Sequence, residues 1–291
     1  MTYYLSANSH FRKRFGQKVY KLALDGGFTC PNRDGLIDKR GCIFCSGGSG
    51  DFAIPCTGDI YSCIENAKAL VKAKGANKYI AYFQSFTGTY ASVEYLKKLY
   101  TEVIIHPDIV ALSIGTRPDC LEDDKILLLK ELNCIKPVII ELGLQTIHEN
   151  TAEYIRRGYP LKVFDEAMEK LNSAGIETIV HMIIGLPGED DNMIVETAKY
   201  IGSSGADGIK FQLLHVLKGT DLADDYLAGK FDALDMDHYI SLLEKCINVI
   251  PHTMVVHRLT GDGAKRDLIA PLWSADKKRV INEISKVLQP L

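Results

Sequence analysis

Short apolar runs rich in β-branched and aromatic residues alternate along this chain with longer amphipathic segments. The alternation is typical of βαβ units, in which parallel strands are joined by helices that cover the sheet. Strands are predicted at 18–24, 79–85, 109–115, 137–145, 177–185, 208–216 and 253–259. Helices are predicted at 59–74, 91–103, 122–133, 148–156, 161–174, 190–203, 236–249 and 275–288. About six such units fit a complete or partial barrel, or an open doubly wound sheet.

The chain shows no linker-like composition shift and no fixed-period repeat over its 291 residues. We therefore predict a single α/β domain spanning 1–291, with a core at about 18–220 and a C-terminal extension at about 221–291.

The formal net charge of -3 gives no overall field that would draw the chain to DNA or to an anionic membrane. The first residues are mixed polar and aromatic, so no secretory signal is expected, and the longest apolar runs are too short to span a bilayer. We expect a cytoplasmic protein whose eight cysteines are thiols or metal ligands rather than a disulfide framework.

Polar side chains cluster where the predicted strands end. These are Asp25, Gln84, Ser85, Thr87, Thr116, Arg117, Gln145, Thr146, His215 and Lys218, together with the loop Gly185-Leu186-Pro187-Gly188. The carboxyl ends of parallel strands meet at one edge of a sheet or barrel, and ligands bind there. We therefore predict one shared ligand pocket at that edge.

Three cysteines, Cys30, Cys42 and Cys45, follow the first predicted core strand with a C-x11-C-x2-C spacing. A closed zinc site needs four ligands, and a redox C-x2-C pair needs no third cysteine. Iron–sulfur clusters are usually held by four thiolates, so three would leave one iron open to a substrate or cofactor. Three buried structural cysteines remain the alternative.

Several motifs carry a resemblance that extends from about residue 18 to 280. The loop ending in CIFC resembles the cluster loop of the radical S-adenosylmethionine (SAM) superfamily. TRPD, ELGLQT, GLPG and IKFQLLHVLKGT follow in the order found in the radical SAM domain of the Elongator catalytic subunit. CPNRDG, GSGDFA, YFQSFT, HRLTGDG and PLWS are more similar to the stand-alone bacterial YhcC-like family. The resemblance implies a partial (βα)6 TIM-like barrel.

The chain also departs from the wider superfamily. Gln84-Ser85-Phe86-Thr87 replaces the GGE-type motif that holds the SAM amino group in other members. No acetyltransferase domain of the Elongator kind and no extra three-cysteine domain of the methylthiotransferase kind is recognisable. Elongator's full activity is therefore not implied, and sulfur insertion is not expected.

The resemblance implies the cofactor contacts residue by residue. Cys30, Cys42 and Cys45 would ligate a [4Fe–4S] cluster whose fourth iron chelates SAM. Arg117 would hold the SAM carboxylate, Gln145 the ribose hydroxyls, and Arg157 or its neighbour Arg156 the carboxylate or the ribose. Assigned by the same resemblance, the remaining cofactor residues are Gln84, Ser85 and Thr87 near the amino group, and Gly185, Leu186 and Pro187 near the adenine.

Substrate contacts are predicted on or just after the barrel strands, at Tyr82, Gln84, His215 and Lys218. Tyr82 is a candidate hydrogen donor or radical relay. His181 and Gln212 also lie on predicted barrel strands, although a lone histidine in an apolar strand is usually a satisfied core residue. Cys56, Cys63, Cys120, Cys134 and Cys246 show no ligand spacing and are interpreted as thiols.

These features predict an enzyme that cleaves SAM reductively and abstracts hydrogen from its substrate, with a flavodoxin or ferredoxin as electron donor. A tRNA or RNA base is favoured as substrate by the Elongator resemblance, and a small metabolite is the alternative. Basic clusters at 12–18 and 277–279 are candidate phosphate contacts. A non-catalytic iron–sulfur or zinc sensor is the competing class.

Overall fold

A computed structural model describes residues 2–47, 53–56, 58–261, 263 and 265–291. Its strands, numbered in chain order, are β1 Thr2–Ser6, β2 Val19–Asp25, β3 Ile54–Pro55, β4 Lys78–Phe83, β5 Ile109–Thr116, β6 Val138–Gln145, β7 Glu177–Ile184, β8 Gly208–Leu213, β9 Val216–Leu217, β10 Val255–Arg258, β11 Leu268–Ala270 and β12 Leu288–Pro290. Its helices are α1 Ala7–Phe15, α2 Ile60–Val71, α3 Val93–Ile104, α4 Asp123–Asn133, α5 Glu149–Tyr154, α6 Leu161–Ser173, α7 Asp191–Ser203, α8 Asp221–Leu227, α9 Met236–Val249 and α10 Lys277–Val287.

Ten strands form one sheet in the order β12-β1-β10-β8-β7-β6-β5-β4-β2-β3, and the neighbours pair in parallel. Side chains from β2, β4, β5, β7 and β8 all reach the carboxylate of Glu141 on β6, which shows that the sheet is strongly curved. The predicted partial barrel is thereby confirmed, and the open doubly wound sheet is not found.

Alternation along each strand separates two sides of the barrel wall. On β2, Leu22 and Leu24 pack outward in the large core beneath the helices, while Lys21 faces the barrel interior. Deep in the interior, Ile80, Ala111, Ile139 and Ile179 form a small apolar layer that Phe11 covers. The barrel is therefore closed at its amino-terminal end, and its polar interior opens toward the strand carboxyl ends.

The predicted strands and helices are confirmed with one exception: the strand predicted at 208–216 ends at Leu213, and β9 pairs antiparallel with β11 in a separate two-stranded sheet. Several short elements were missed. Strand β1 and helix α1 lie in an N-terminal stretch whose polar character hid them; the Ser6 hydroxyl caps α1 by accepting from the Ser9 amide. The C-terminal extension completes the sheet rather than forming a layer of its own, because β10 pairs with β8 and β1. No helix in the described ranges combines the length and apolarity needed to cross a membrane.

Candidate active site

The loop that carries the three cysteines is held by its own backbone. The Gly41 amide donates to the Asn32 carbonyl (2.7 Å), and the Cys45 amide donates to the Cys42 carbonyl (2.9 Å). The Arg33 guanidinium donates to the Cys45 carbonyl (2.5 Å). Gly41 adopts a φ of 80°, and a Cβ there would lie 2.8 Å from Arg33 Nε, so this position requires glycine.

Asn32 fastens the cysteine loop to the turn after α5. Its buried amide group donates to the carbonyls of Arg156 (2.8 Å) and Arg157 (3.2 Å) and lies 3.5 Å from Cys42 Sγ. A second contact joins the Ile43 amide to the Ile155 carbonyl (3.1 Å). Sequence reasoning missed Asn32, although its place between the first cysteine's proline and Arg33 in CPNRDG was visible.

A cavity of about 240 Å³ lies between the cysteine loop and the barrel interior. It brings together most of the predicted site. The predicted residues that line it are Cys30, Cys42, Cys45, Tyr82, Gln84, Thr87, Arg117, Gln145 and Arg157, and His181 and Gln212 line it as well. The sequence prediction of one pocket at the strand carboxyl ends agrees with this placement.

Other predicted residues lie elsewhere. Ser85 is buried beside the cavity without lining it. Gly185, Leu186 and Pro187 line a second cavity of about 200 Å³, together with residues that include Phe231 and Leu234. His215 lies beside Gly261 and Gly263, and Lys218 is exposed with its ammonium 3.3 Å from the Arg266 carbonyl. None of these six residues lines the cysteine cavity.

The segment that replaces the GGE-type motif keeps an unusual backbone. Phe86 has a φ of 55°, in the left-handed region where glycine is favoured, and its ring lies 6.0 Å from the Arg33 guanidinium. The Thr87 amide donates to the Thr29 carbonyl (3.2 Å), which fixes the segment against the start of the cysteine loop. Residues 48–52 of GSGDFA and Asp262 of HRLTGDG lie outside the described residues.

The two arginines of the predicted cofactor set already have protein partners. Arg117 donates through Nε and Nη2 to both carboxylate oxygens of Asp119 (2.9 and 2.7 Å), so only Nη1 lies outside that pair. Arg157 is buried and donates to the carbonyls of Thr146 (2.6 Å) and Tyr159 (3.0 Å). Arg156 instead pairs with Asp221 at 2.7 Å, so Arg157 is the member of this adjacent pair that faces the cavity.

Gln145 combines a strained backbone with an unsatisfied side chain. It adopts a φ of 72°, and its buried Oε1 has no hydrogen-bond partner among the described residues. Both features carry a free-energy cost that is tolerated mainly at functional positions. The orphaned amide oxygen lines the cavity and is suited to accept from a hydroxyl of a bound molecule.

Two substitutions at Gln145 separate these costs. Gln145→Gly and Gln145→Ala both remove the amide that the resemblance assigns to the SAM ribose, so both are expected to weaken SAM binding in calorimetric titration. Only glycine relieves the left-handed backbone, so we expect the glycine variant to be about 1 kcal/mol more stable than the alanine variant in urea unfolding. Equal stability of the two variants would contradict the strain, and unchanged SAM affinity would contradict the contact.

A charged network forms the barrel interior below the cavity mouth. Glu141 Oε2 accepts from Tyr82 (2.8 Å) and contacts His181 Nε2 (2.8 Å), and Ser113 donates to Oε1 (2.9 Å). The ammonium groups of Lys21 and Lys210 donate to the two oxygens of the same carboxylate. The Glu141 side chain is fully buried. We refer to these six side chains as the barrel floor.

Protonation in the barrel floor follows from burial and charge. Burial alone would raise the pKa of Glu141, but Lys21 and Lys210 outweigh it and hold that pKa well below its ordinary value. Burial, assisted by the charge of Lys210, lowers the pKa of His181 to about 4. His181 is therefore a neutral member of the network at pH 7, and Glu141 is ionised.

Sequence reasoning named Tyr82 and His181 but missed Glu141, Lys21 and Lys210. The signal was present, because Glu141 interrupts the apolar run VIIELGL and Lys210 lies within GIKFQL. A charge inside an otherwise apolar buried strand needs a partner across the fold. For His181, the prediction of a satisfied interior residue agrees with its bond to Glu141.

The donor set around the cysteines fits an iron–sulfur cluster better than one metal ion. No three His, Cys, Asp or Glu side chains in the described ranges converge closely enough to hold a single ion. Cluster thiolates bind different irons, so they lie farther apart than ligands of a shared ion. Cys30, Cys42 and Cys45 are free, half-buried and line a cavity beside Arg33 and Arg117, whose charges suit bound thiolates.

The other cysteines lie apart from this set. Cys56 and Cys63 form a disulfide with their Cα atoms 5.6 Å apart, which corrects the expectation that both are thiols. Their close approach follows from the start of α2, a turn that spacing alone did not reveal. Cys120 and Cys246 are buried thiols, and Cys134 is exposed.

Family comparisons agree with this geometry. Residues 38–201 match the model described as the radical SAM superfamily, and residues 206–289 match the radical SAM C-terminal domain. The chain is 46% identical over 288 residues to protein YtqA of Bacillus subtilis, covering 98% of this chain and 89% of that protein. It is 35% identical to protein YhcC of Escherichia coli, covering 95% and 89%. The resemblance to the YhcC-like family is confirmed.

More distant matches carry the Elongator resemblance. The chain is 26% identical over 156 residues to the tRNA uridine(34) acetyltransferase of Methanocaldococcus jannaschii, covering 53% of this chain and 28% of that protein. Among solved structures, Elp3 of Methanocaldococcus infernus superposes with a TM-score of 0.67 at 19% identity. That match covers 91% of this chain and 63% of the chain in that structure, which lacks residues 1–46 of Elp3, and at this identity it shows a shared fold alone.

Proposed function

Because the chain belongs to the radical SAM superfamily, whose enzymes use a [4Fe–4S] cluster and SAM, we propose that it abstracts a hydrogen atom from a tRNA nucleoside. The observation that carries the chemistry is the cavity in which three free cysteines face the polar barrel floor. Members of this family are enzymes, so the non-catalytic sensor is set aside. An electron donor of the flavodoxin or ferredoxin type would complete the reaction.

Residues of this chain would bind the cluster and SAM and position the SAM contacts. Cys30, Cys42 and Cys45 would ligate the cluster, which with SAM supplies a 5′-deoxyadenosyl radical when both are bound. Arg117 would donate from Nη1 to the SAM carboxylate, while its Nε and Nη2 donate to Asp119. Gln145 would accept from a ribose hydroxyl through its unsatisfied oxygen. Arg157 would keep Gln145 in place by anchoring the carbonyls of Leu144 and Thr146.

The tRNA substrate is supported by the relative named for tRNA uridine(34) acetylation and by basic residues near the cavity. Lys39 and Arg40 are exposed in the cysteine loop directly before Gly41, which lines the cavity. Such side chains commonly contact phosphates. The basic cluster at 12–18 is less suited to this role, because α1 covers the opposite end of the barrel and Arg14 pairs with Glu177.

Release of 5′-deoxyadenosine tests the substrate class. Reconstituted protein with dithionite and SAM receives either bulk tRNA or a tRNA-free metabolite extract, without oxygen. We expect tRNA to stimulate release, and the stimulation to fall steeply with salt because phosphate contacts release counterions. Stimulation by the metabolite extract alone would overturn the tRNA proposal and favour the small-metabolite alternative.

A pair of variants tests the contact surface in the same assay. Lys39→Ala/Arg40→Ala is expected to weaken tRNA binding. The slope of the logarithm of tRNA affinity against the logarithm of salt concentration should become shallower by about one for each phosphate that these side chains neutralise. Lys97→Ala, on α3 where Lys97 pairs with the exposed Glu131, is the control and should leave both the tRNA affinity and its salt dependence unchanged. Equal effects of the two variants would remove the cysteine loop from the proposed interface.

A further inference from the structure

The barrel floor holds more positive than negative charge. Two ammonium groups, on Lys21 and Lys210, share the single carboxylate of Glu141. Lys210 is buried with a side chain only 5% exposed, and Glu141 is fully buried. The Lys21 ammonium is partly solvated, because its side chain is 24% exposed, whereas the buried Lys210 ammonium would gain most from a second counter-ion.

Glu141 has no capacity to balance the surplus. Its two oxygens already meet five donors, namely those of Lys21, Ser113, Tyr82, His181 and Lys210. A carboxylate offers about four lone-pair sites, so it is saturated. Lys210 has three donors, and its contacts among the described residues are Glu141 and Tyr82 Oη, the latter at 3.1 Å. One Lys210 donor is therefore available to the cavity.

A third cation lies next to Lys210 in the same cavity. Arg258 on β10 is the cross-strand partner of Lys210 on β8, and both line the cavity wall. Like charges directly opposite one another on neighbouring strands repel. The polar groups beside them, Gln212 and His181, are neutral and contact each other at 3.3 Å. Lys210 and Arg258 therefore place two positive charges side by side on this part of the cavity lining.

We infer that the wall formed by Lys210 and Arg258 binds an anionic group of the substrate, a carboxylate or a phosphate, and so selects an anionic substrate. The inference rests on the proposed radical SAM activity for the identity of the cavity as the reaction site. The anion would supply the counter-charge that Glu141 cannot. The remainder of the substrate would then lie between this wall and the cysteine loop, because one cavity joins the two.

Anion binding tests the inference without turnover. Reconstituted, SAM-bound protein is titrated with sodium phosphate or sodium acetate, with sodium chloride holding ionic strength constant, and affinity is measured by calorimetry and by the rise in Tm. Lys210→Met keeps the Lys21–Glu141 pair and should weaken binding of the preferred probe about tenfold or more. Preference for acetate indicates a carboxylate, and preference for phosphate indicates a phosphate.

Glu141→Gln is the decisive companion variant. It keeps an acceptor oxygen but removes the competing negative charge, so we expect probe binding at least as tight as in the wild type and a larger rise in Tm. Lys97→Met, whose partner Glu131 is exposed, should behave as the wild type. Equal weakening in Lys210→Met and Glu141→Gln would indicate structural damage and overturn the inference, as would unchanged binding in Lys210→Met.

The pH dependence gives a second readout. Burial lowers the pKa of Lys210 to about 7, opposed by Glu141 and assisted by Lys21 and Arg258. Tyr82 and the neutral His181 also face this ammonium. A bound anion favours the protonated form of Lys210, so the affinity of the protein for the anion should fall between about pH 6 and about pH 9. In Lys210→Met this pH dependence should disappear. A flat wild-type profile with no probe binding would overturn the inference, whereas absent SAM cleavage would overturn only the proposed function.

Discussion

Cys45→Ala is expected to reduce 5′-deoxyadenosine release to background. The side chain is one of three thiols that line the cavity, and the close pair it forms with Cys42 is set by the bond between the Cys45 amide and the Cys42 carbonyl. Alanine keeps this turn and removes only the ligand. Two remaining thiolates hold an iron–sulfur cluster poorly, so iron and sulfide content per chain should fall in parallel.

Cys134→Ala is the matched control. Cys134 is an exposed free cysteine that ends α4 and does not line the cysteine cavity, and its backbone bonds survive the change. It should retain full iron content and full activity after anaerobic reconstitution. Activity that persists in Cys45→Ala, or that is lost equally in Cys134→Ala, would contradict the assignment of the cluster ligands.

The strands and helices could be predicted because their signals are local. Apolar runs such as YIAYF and VIIELGLQ are long enough to identify β4 and β6, and the amphipathic segments between them identify the crossing helices. Strand β12 could not be found this way, since its three residues gain their structure from pairing with β1. Edge strands of this length depend on tertiary contacts that no short window contains.

The candidate site likewise contains residues that local sequence signals predict and residues that only tertiary contacts reveal. Cys30, Cys42 and Cys45 were predictable from spacing and resemblance, and Arg117 and Gln145 from their positions at strand ends. The saturated carboxylate of Glu141 was not predictable, because its five donors come from five different strands. The bidentate bond from Arg117 to Asp119 was also hidden, although the two residues lie two positions apart in TRPD, since only the turn after β5 aligns them.

Glu141→Leu is expected to destabilise the fold by about 3–5 kcal/mol. Leucine fits the space approximately but leaves the ammonium groups of Lys21 and Lys210 without their carboxylate in a buried layer. Because the pKa of Glu141 is held well below its ordinary value, its contribution is complete at neutral pH and is lost only as the solution becomes acidic. Urea unfolding of the cluster-free protein at neutral pH measures the change.

A second substitution separates lost packing from an unpaired charge. Adding Lys210→Met to Glu141→Leu removes the more buried of the two ammonium groups, so the double variant should regain about 2 kcal/mol relative to Glu141→Leu alone. Lys21 is 24% exposed and can reach solvent, so its charge costs less when unpaired. Glu131→Leu, which breaks the exposed pair with Lys97, should cost no more than about 1 kcal/mol. A double variant less stable than Glu141→Leu would mean that Lys210 stabilises the barrel through packing rather than through its charge. The barrel floor would then be a structural layer and not a charged site that binds a ligand.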